Sequence, residues 1–460
     1  MIVNDARAQG RTALIAGCLA ASFLGSFAAT IVWAALDAPA AHATPAEASA
    51  YANLGIFARA LAHIEASHVE PPDQDALVYG AIRGMVETLD PHSTFLDPEE
   101  YRVLLDDTEG AFGGIGVEID TRDGWMIVHG VIEGGPAERA GMQPGDRFLA
   151  IDGRSARDMP VSDAVRRMRG EPGTEVRVRV RREGVDEGIE LTLTREIIHV
   201  DAVEARVLSD RVVYIELRSF QETTTSELRA ALDHAVEQTA SAGGVAGVIL
   251  DLRGNPGGLL AEAVSVSDEF LESGVIVSTR GRDGQLLSEQ RAHGAGTRPD
   301  WPVVVLVDNF SASAAEIVAG ALRDHHRAVI VGTRTWGKGS VQTLIDLPDG
   351  SALKLTVARY YTPDGTSIQA QGIEPDVVIE QLDEETAARL ARSSPILSEA
   401  MLEGALDSER AERRREEGRG DARAGAVDED GAAFEDDYQA RMAHQVMRAL
   451  VVQRAATQPH

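Results

Sequence analysis

Short unbroken apolar runs alternate along the middle of the chain with stretches whose apolar residues recur every three or four positions. Residues 303–307 and 328–331 are such runs, and 212–217 and 247–251, rich in Val, Ile and Leu but for Glu216 and Asp251, read as strands of the same kind. Runs of this kind mark strands covered on both faces. Residues 224–237 and 259–266 carry helical spacing between them, as do Ile317, Val318, Ala321 and Leu322. The pattern predicts an α/β core of βαβ type over residues 190–380, with further strands at 340–344 and 354–361.

Residues 103–185 read differently. A strand opens at 112–117, another covers 148–151, residues 161–168 form an amphipathic helix, and Val176, Val178 and Val180 alternate along a third strand. Residues 45–100 predict helices. Leu54, Phe57, Leu61 and Ile64 form one apolar face, Leu77, Ile82 and Met85 another, and Pro71-Pro72 separates them. Residues 381–460 are an acidic extension. Its stretch 413–431 has few large apolar groups and is expected to be disordered. Residues 438–452 carry Met442, Val446, Leu450 and Val451 at helical spacing, fit to dock on the body or on a second subunit in a homo-oligomer.

Composition narrows the partners. The 460 residues carry a net charge of −29, which argues against nucleic acid and anionic lipid surfaces. Cys18 has no second cysteine to pair with. Arg7 and Arg11 precede an uncharged run over residues 12–36, long enough to span a bilayer. Ala41-His42-Ala43 then offers a small-x-small cleavage site. Residues 1–44 therefore predict a signal peptide or a membrane anchor. Either places the body outside the cytoplasm, in the periplasm or on the outer face of the inner membrane.

The chemistry concentrates where the 303–307 strand ends. Asp308 and Asn309 break it, Ser311-Ala-Ser313-Ala-Ala-Glu316 follows, and a helix begins. Free N–H groups at a helix start favour negative charge. A serine there can attack a carbonyl while those groups hold the oxyanion. Ser313-x-x-Glu316 is equally a capping box, and the roles can be divided, with Ser311 capping and Ser313 reacting. A serine needs a base, and the chain contains no GxSxG elbow. The nearby cation is Lys338. Burial lowers an ammonium pKa, so a dry site would make this lysine a neutral base. Gln342 lies four residues on and would share its face on a strand, where its amide can orient the lysine.

Other readings stand beside these. Residues 332–339 fall one residue short of a phosphate loop, which needs Ser or Thr after its lysine and then a helix. Here Gly339 follows Lys338, and then a strand-like run. Residues 252–258, LRGNPGG, form a glycine-rich turn at the carboxyl end of a buried strand, where α/β sites usually lie. It is also an ordinary strand–turn–helix. His92 reads as a loop residue, because no second histidine or acid lies at metal spacing.

Taken together, FSASAAEIVAGALRD at 310–324, VGTRTWGKGSVQ at 331–342, DLRGNPGG at 251–258, LDPHS at 89–93 and QGIEPD at 371–376 resemble the carboxyl-terminal processing (tail-specific) serine proteases. The resemblance runs from about residue 50 to 380. It implies a ClpP/crotonase-like core, Ser313 as nucleophile, Lys338 as general base and Gln342 as its support. The N–H groups of Gly258 and Ala314 would be the oxyanion donors. Many relatives carry serine where this chain has Ala315.

FGGIGV at 112–117, GPAERAG at 135–141 and PGD at 144–146 resemble an inserted PDZ domain. Consecutive N–H groups of a glycine-rich turn can converge on a terminal carboxylate, and the strand behind can accept a peptide as an added strand. Gly114, Ile115, Gly116 and Val117 are the candidate loop, and the resemblance makes Arg169 a sensor of the bound tail. The expected protein is an exported serine endopeptidase that captures unstructured apolar C-terminal tails and cuts with a Ser–Lys dyad. It requires no metal or organic cofactor. The rival from another class is a PDZ peptide-binding scaffold that no longer cuts.

Overall fold

The structure, a computed structural model, describes residues 45–382 apart from 186, together with 434 and 437–457. The expected N-terminal apolar run, the 41–43 cleavage site and the 413–431 stretch lie outside the described residues. The chain divides after Ala81 into two units.

Helix α1 (Pro45–Ser67) lies in the first unit. On its predicted face Leu54, Phe57 and Ile64 are exposed and Leu61 is half-buried. Helix α2 (Gln74–Glu87) buries Val86 and half-buries the expected Leu77 and Ile82, while Met85 is exposed. The region expected to be helical also holds a strand, β1 (Thr94–Leu96), paired antiparallel with residues 352–354. Helix α3 (Pro98–Glu109) follows, across the expected boundary at 100–103. The Asp97 side chain caps its start together with Glu100, and Gly110 closes it at φ 74°.

Strand β2 (Ala111–Gly114) leads into a five-strand path: β3 (Val117–Arg122), β4 (Trp125–Val131), β5 (Arg147–Ile151), β7 (Glu175–Arg181) and β8 (Ile189–Thr194). The short helix α4 (Pro136–Arg139) sits between β4 and β5. Strand β6 (Arg154–Ser155) pairs with β5, and helix α5 (Val161–Met168) precedes β7. This sheet reaches Thr194, past the expected end at 185 and into the expected start of the core at 190. The glycines at 184 and 188 mark a hairpin between β7 and β8, not a domain boundary. The sheet and its helices close over a separate apolar core that includes Phe148, Ile151, Val176, Val178 and Val180. Strand β9 (Glu196–His199) then pairs back onto β2.

The second core is built on strands β10 (Val203–Val207), β11 (Val212–Leu217) and β12 (Gly247–Asp251), with helix α6 (Thr224–Thr239) after β11 and helix α7 (Leu260–Asp268) after β12. Strands β13 (Val275–Arg280), β14 (Leu286–Arg291) and β15 (Val303–Val307) lead to helix α8 (Ala314–Asp324). Strands β16 (Val329–Gly332), β17 (Ser340–Asp346), β18 (Ala352–Tyr361) and β19 (Val377–Val378) complete this region, and helix α9 (Tyr438–Thr457) follows the undescribed stretch. One sheet runs β10-β11-β12-β15-β16-β19, parallel except for the antiparallel β10–β11 pair. The other runs β1-β18-β13-β14, with β17 on β18.

The parallel sheet explains the unbroken apolar runs. Val213, Ile215, Val248, Leu250, Val303 and Val305 face helices α6, α7 and α8. The alternate residues Val212, Tyr214, Ile249, Val304 and Leu306 face helix α9. That helix docks through Ala440, Ala443, His444 and Met447, and the expected stripe of Met442, Val446, Leu450 and Val451 flanks it half-buried. Small residues at the contact let the helix axis approach the sheet closely, so the larger ones lie at its rim.

Candidate active site

The turn after β15 is tied down before the helix starts. Asp308 Oδ1 accepts from the N–H groups of Gly254, Phe310 and Ser311 at 2.9–3.0 Å. The Ser311 hydroxyl donates to the Leu252 carbonyl at 2.8 Å. Ser311 therefore joins this turn to the 252–258 turn and does not cap the helix. Ser313 takes the N-cap position instead, at φ 54° and ψ −111° and 8% exposed. A non-glycine residue held there costs about 1–3 kcal/mol and persists only where its surroundings enforce it. The Ala312 N–H, bound to the Asn255 carbonyl at 2.9 Å, is one such restraint.

Glu316 supplies the rest. It is wholly buried, and its carboxylate accepts from the N–H groups of Ser313, Gly337 and Lys338 at 2.7–2.8 Å and from the Thr335 hydroxyl at 2.5 Å. One oxygen, Oε2, takes both Ser313 N–H and Lys338 N–H. The main-chain nitrogens of these residues thus lie within two hydrogen-bond lengths of each other. Burial raises the Glu316 pKa, and its four donors only partly oppose that. From the sequence Glu316 was a helix cap alone. A lone carboxylate among Ala, Ile and Val in a buried helix was the signal of a larger task.

Lys338 lies before β17 and not on it, so strand alternation does not place it beside Gln342. The 332–339 segment is followed by a strand and not by the helix that a phosphate loop needs. Lys338 is half-buried, and its pKa is lowered by burial, then by the nearby Lys354 charge, against the pull of Glu316. Lys354 on β18, which the sequence did not single out, is itself lowered by burial. Gln342 is half-buried on β17, where its Nε2 donates to Ser340 Oγ at 2.9 Å and Thr356 Oγ1 at 3.2 Å. His92 sits in the turn before β1, and burial, Lys338 and Lys354 all lower its pKa.

The 252–258 turn lies directly against the serine. A Cβ on Gly257, at φ +102°, would meet Ser313 Cβ at 2.7 Å and Ala314 N at 2.9 Å. No side chain fits there, which is why the turn needs glycine. Gly258, at φ +147°, is packed against the Phe220 carbonyl. Phe220 N–H donates to Gly257 O at 3.0 Å, and Leu259 N–H donates to Phe220 O at 2.8 Å. Among the described residues, neither Gly258 N–H nor Ala314 N–H donates a hydrogen bond. Arg253 anchors the turn from behind, with Nη2 at 2.6 Å from both Asp251 and Asp437. Asp437 thereby ties the base of α9 to this turn. A cleft of about 850 Å³ opens alongside, walled by the exposed Phe310 and Trp336.

The candidate tail site is also assembled. Gly114, Ile115, Gly116 and Val117 line a cavity of about 100 Å³ with Met168 and Arg169. Arg169 Nη1 stands 2.8 Å from Asp107 Oδ1, and its guanidinium lies 4.0 Å over the Phe112 ring. Among the described residues no cluster of His, Cys, Asp and Glu has the make-up of a metal site.

The family model described as peptidase family S41 matches residues 211–379. A PDZ-domain model matches 127–182, and one for an activating protease CtpB N-terminal domain matches 22–100. The chain is 43% identical to a carboxy-terminal-processing protease of Bartonella bacilliformis, over 73% of this chain and 77% of that one. It is 38% identical to the carboxy-terminal processing protease CtpA of Bacillus subtilis, over 71% and 68%. The photosystem II D1 C-terminal processing protease, a solved structure, is 33% identical, with 70% of this chain and 86% of that chain covered and a TM-score of 0.45.

Proposed function

Because the chain belongs to peptidase family S41, whose carboxy-terminal processing proteases are serine peptidases, we propose that it cuts tail-bearing proteins with a Ser313–Lys338 dyad. The observation that carries this is the single Glu316 oxygen accepting from the N–H groups of both residues. Ser313 Oγ attacks the scissile carbonyl as Lys338 Nζ takes its proton. The Gly258 and Ala314 N–H groups, with no other hydrogen-bond acceptor among the described residues, hold the oxyanion. The Lys338 ammonium then protonates the leaving amine, and water repeats the sequence on the acyl-enzyme. Gln342 orients the amine.

The PDZ cavity at Gly114–Val117 takes the substrate's C-terminal carboxylate, with Arg169 as its cationic partner. Arg169 is paired with Asp107 at 2.8 Å, so a bound tail competes for it. The basic–apolar leader over residues 1–36 supports export, with the body on the outer side of the inner membrane.

The test is digestion of an unfolded protein with and without an apolar C-terminal tail, with products read by mass spectrometry. Wild type is expected to release internal fragments, faster from the tailed substrate, and Ser313→Ala to release none. Fragments from Ser313→Ala at the wild-type rate would overturn the nucleophile, and a wild type that binds the tail without cutting would leave a peptide-binding scaffold. Arg169→Ala is expected to weaken binding of a tail peptide at least about tenfold, the loss of one charge-assisted contact of roughly 1.5–3 kcal/mol. Titration calorimetry reads this directly.

A further inference from the structure

Gln342, the proposed support of Lys338, is tied through β18 to the loop at 89–93. Thr356 on β18 stands opposite Gln342 on β17, because the ladder skips one residue between Val341 and Gln342. Thr356 Oγ1 is 3.2 Å from Gln342 Nε2 and 3.0 Å from Asp90 Oδ1. The Thr356 N–H donates to Ser93 Oγ at 3.0 Å, and Ser93 Oγ donates to Asp90 Oδ2 at 2.6 Å. Asp90 Oδ1 also accepts the His92 and Ser93 N–H groups at 2.9 Å.

Hydrogen counting gives this chain a direction. An ionised carboxylate only accepts, and a threonine hydroxyl has one hydrogen to give. Thr356 must spend that hydrogen on Asp90. Its oxygen is then left to accept, and only the Nε2 end of the Gln342 amide can donate to it. The Asp90 carboxyl is held below its ordinary range: burial pushes it up, but bonds from Ser93, His92 and Thr356 outweigh burial. It is therefore the acceptor-only form that faces Thr356 at neutral pH.

We propose that Asp90, through Thr356, is a positioning residue of the catalytic site: it turns the Gln342 amide so that Nε2 faces β18 and Oε1 is presented to the Lys338 amine. With the amide reversed, Gln342 would offer N–H groups to an amine that must keep its lone pair for Ser313. Ser93 holds the Asp90 carboxylate and the Thr356 backbone in register. The 89–93 loop, remote in sequence, thereby sets the geometry of the base.

The inference rests on the dyad reading, and the test separates the two. Asp90→Asn keeps the shape but adds a donor, so Thr356 is no longer forced to point at it. This variant is expected to lower kcat about tenfold with KM unchanged. In a Gln342→Ala background the same substitution is expected to change kcat by less than about twofold, because the residue it acts through is gone. Thr356→Val is expected to reproduce the loss, and Thr356→Ser, which keeps the hydroxyl, to restore activity. Equal losses in both backgrounds, or equal losses for Thr356→Ser and Thr356→Val, would overturn the relay. If Asp90→Asn does not fold or Gln342→Ala has no residual activity, the Thr356 pair decides alone. Failure of the dyad itself appears elsewhere, as wild-type cleavage that survives Ser313→Ala or Lys338→Ala.

Discussion

Lys338→Ala is expected to remove cleavage, lowering kcat by about 10²–10⁴-fold, the usual contribution of a positioned general base, while the protein stays folded. The fold survives because Glu316 binds the main-chain N–H of residue 338, which alanine retains. Removing the side chain also relieves a half-buried cation set beside a second one, Lys354. Lys338→Arg separates charge from basicity. A guanidinium fills much the same space but does not give up its proton in the working range. Both variants are therefore expected to be inactive, with unfolding midpoints near that of wild type. An active Lys338→Arg enzyme would assign the lysine to electrostatic support and leave the base unidentified.

Glu316→Ala is expected to damage both stability and activity, and more severely than its helical position suggests. It leaves three N–H groups and the Thr335 hydroxyl without their acceptor. Each unsatisfied buried donor costs about 1–3 kcal/mol, partly recovered where water enters the cavity. A loss of at least about 3 kcal/mol in urea unfolding is expected. Glu316→Gln keeps the volume and one acceptor oxygen, but sets an amide N–H₂ against donors. Its stability should lie between those of wild type and Glu316→Ala, and its kcat should still fall, because the strained Ser313 backbone loses its restraint. Glu316→Gln with wild-type melting and wild-type turnover would show that this carboxylate does not organise the site.

How far the sequence carried this reading depended on what each segment touches. Strands β11, β12 and β15 run over the very residues that the sequence predicted, because both of their faces are covered and nearly every position is apolar. Strand β1, three residues long, has no such signal. It exists because residues 352–354 offer a partner, a long-range condition that local pattern cannot express. Met442, Val446, Leu450 and Val451 rightly predicted a helix but not its inward line, since alanine is nearly silent in apolar periodicity.

The site divides in the same way. Ser313 and Lys338 stood out as candidates through the family resemblance, since locally a serine at a helix start also reads as a cap and a lysine in a glycine-rich turn as a near-phosphate-loop. The extended role of Glu316 was hidden by an adequate local explanation, the cap. The link between Lys338 and Gln342 was argued from a strand that does not reach back to residue 338. Asp90 and Thr356 lie too far apart in sequence for spacing to join them, and only the β17–β18 register brings Thr356 opposite Gln342.

The central claim is that Lys338 works as a neutral amine beside Ser313, and the pH dependence of kcat/KM on a tail-bearing substrate tests it most directly. Burial and the Lys354 charge lower the Lys338 pKa, with Glu316 opposing. The protonated lysine cannot accept the serine proton. Activity must therefore be low at acid pH, rise as the pH passes through the lowered pKa, and level off earlier than it would for a lysine at its ordinary value of 10.5. A profile still climbing at that value, or one with no rising limb at all, would contradict the account.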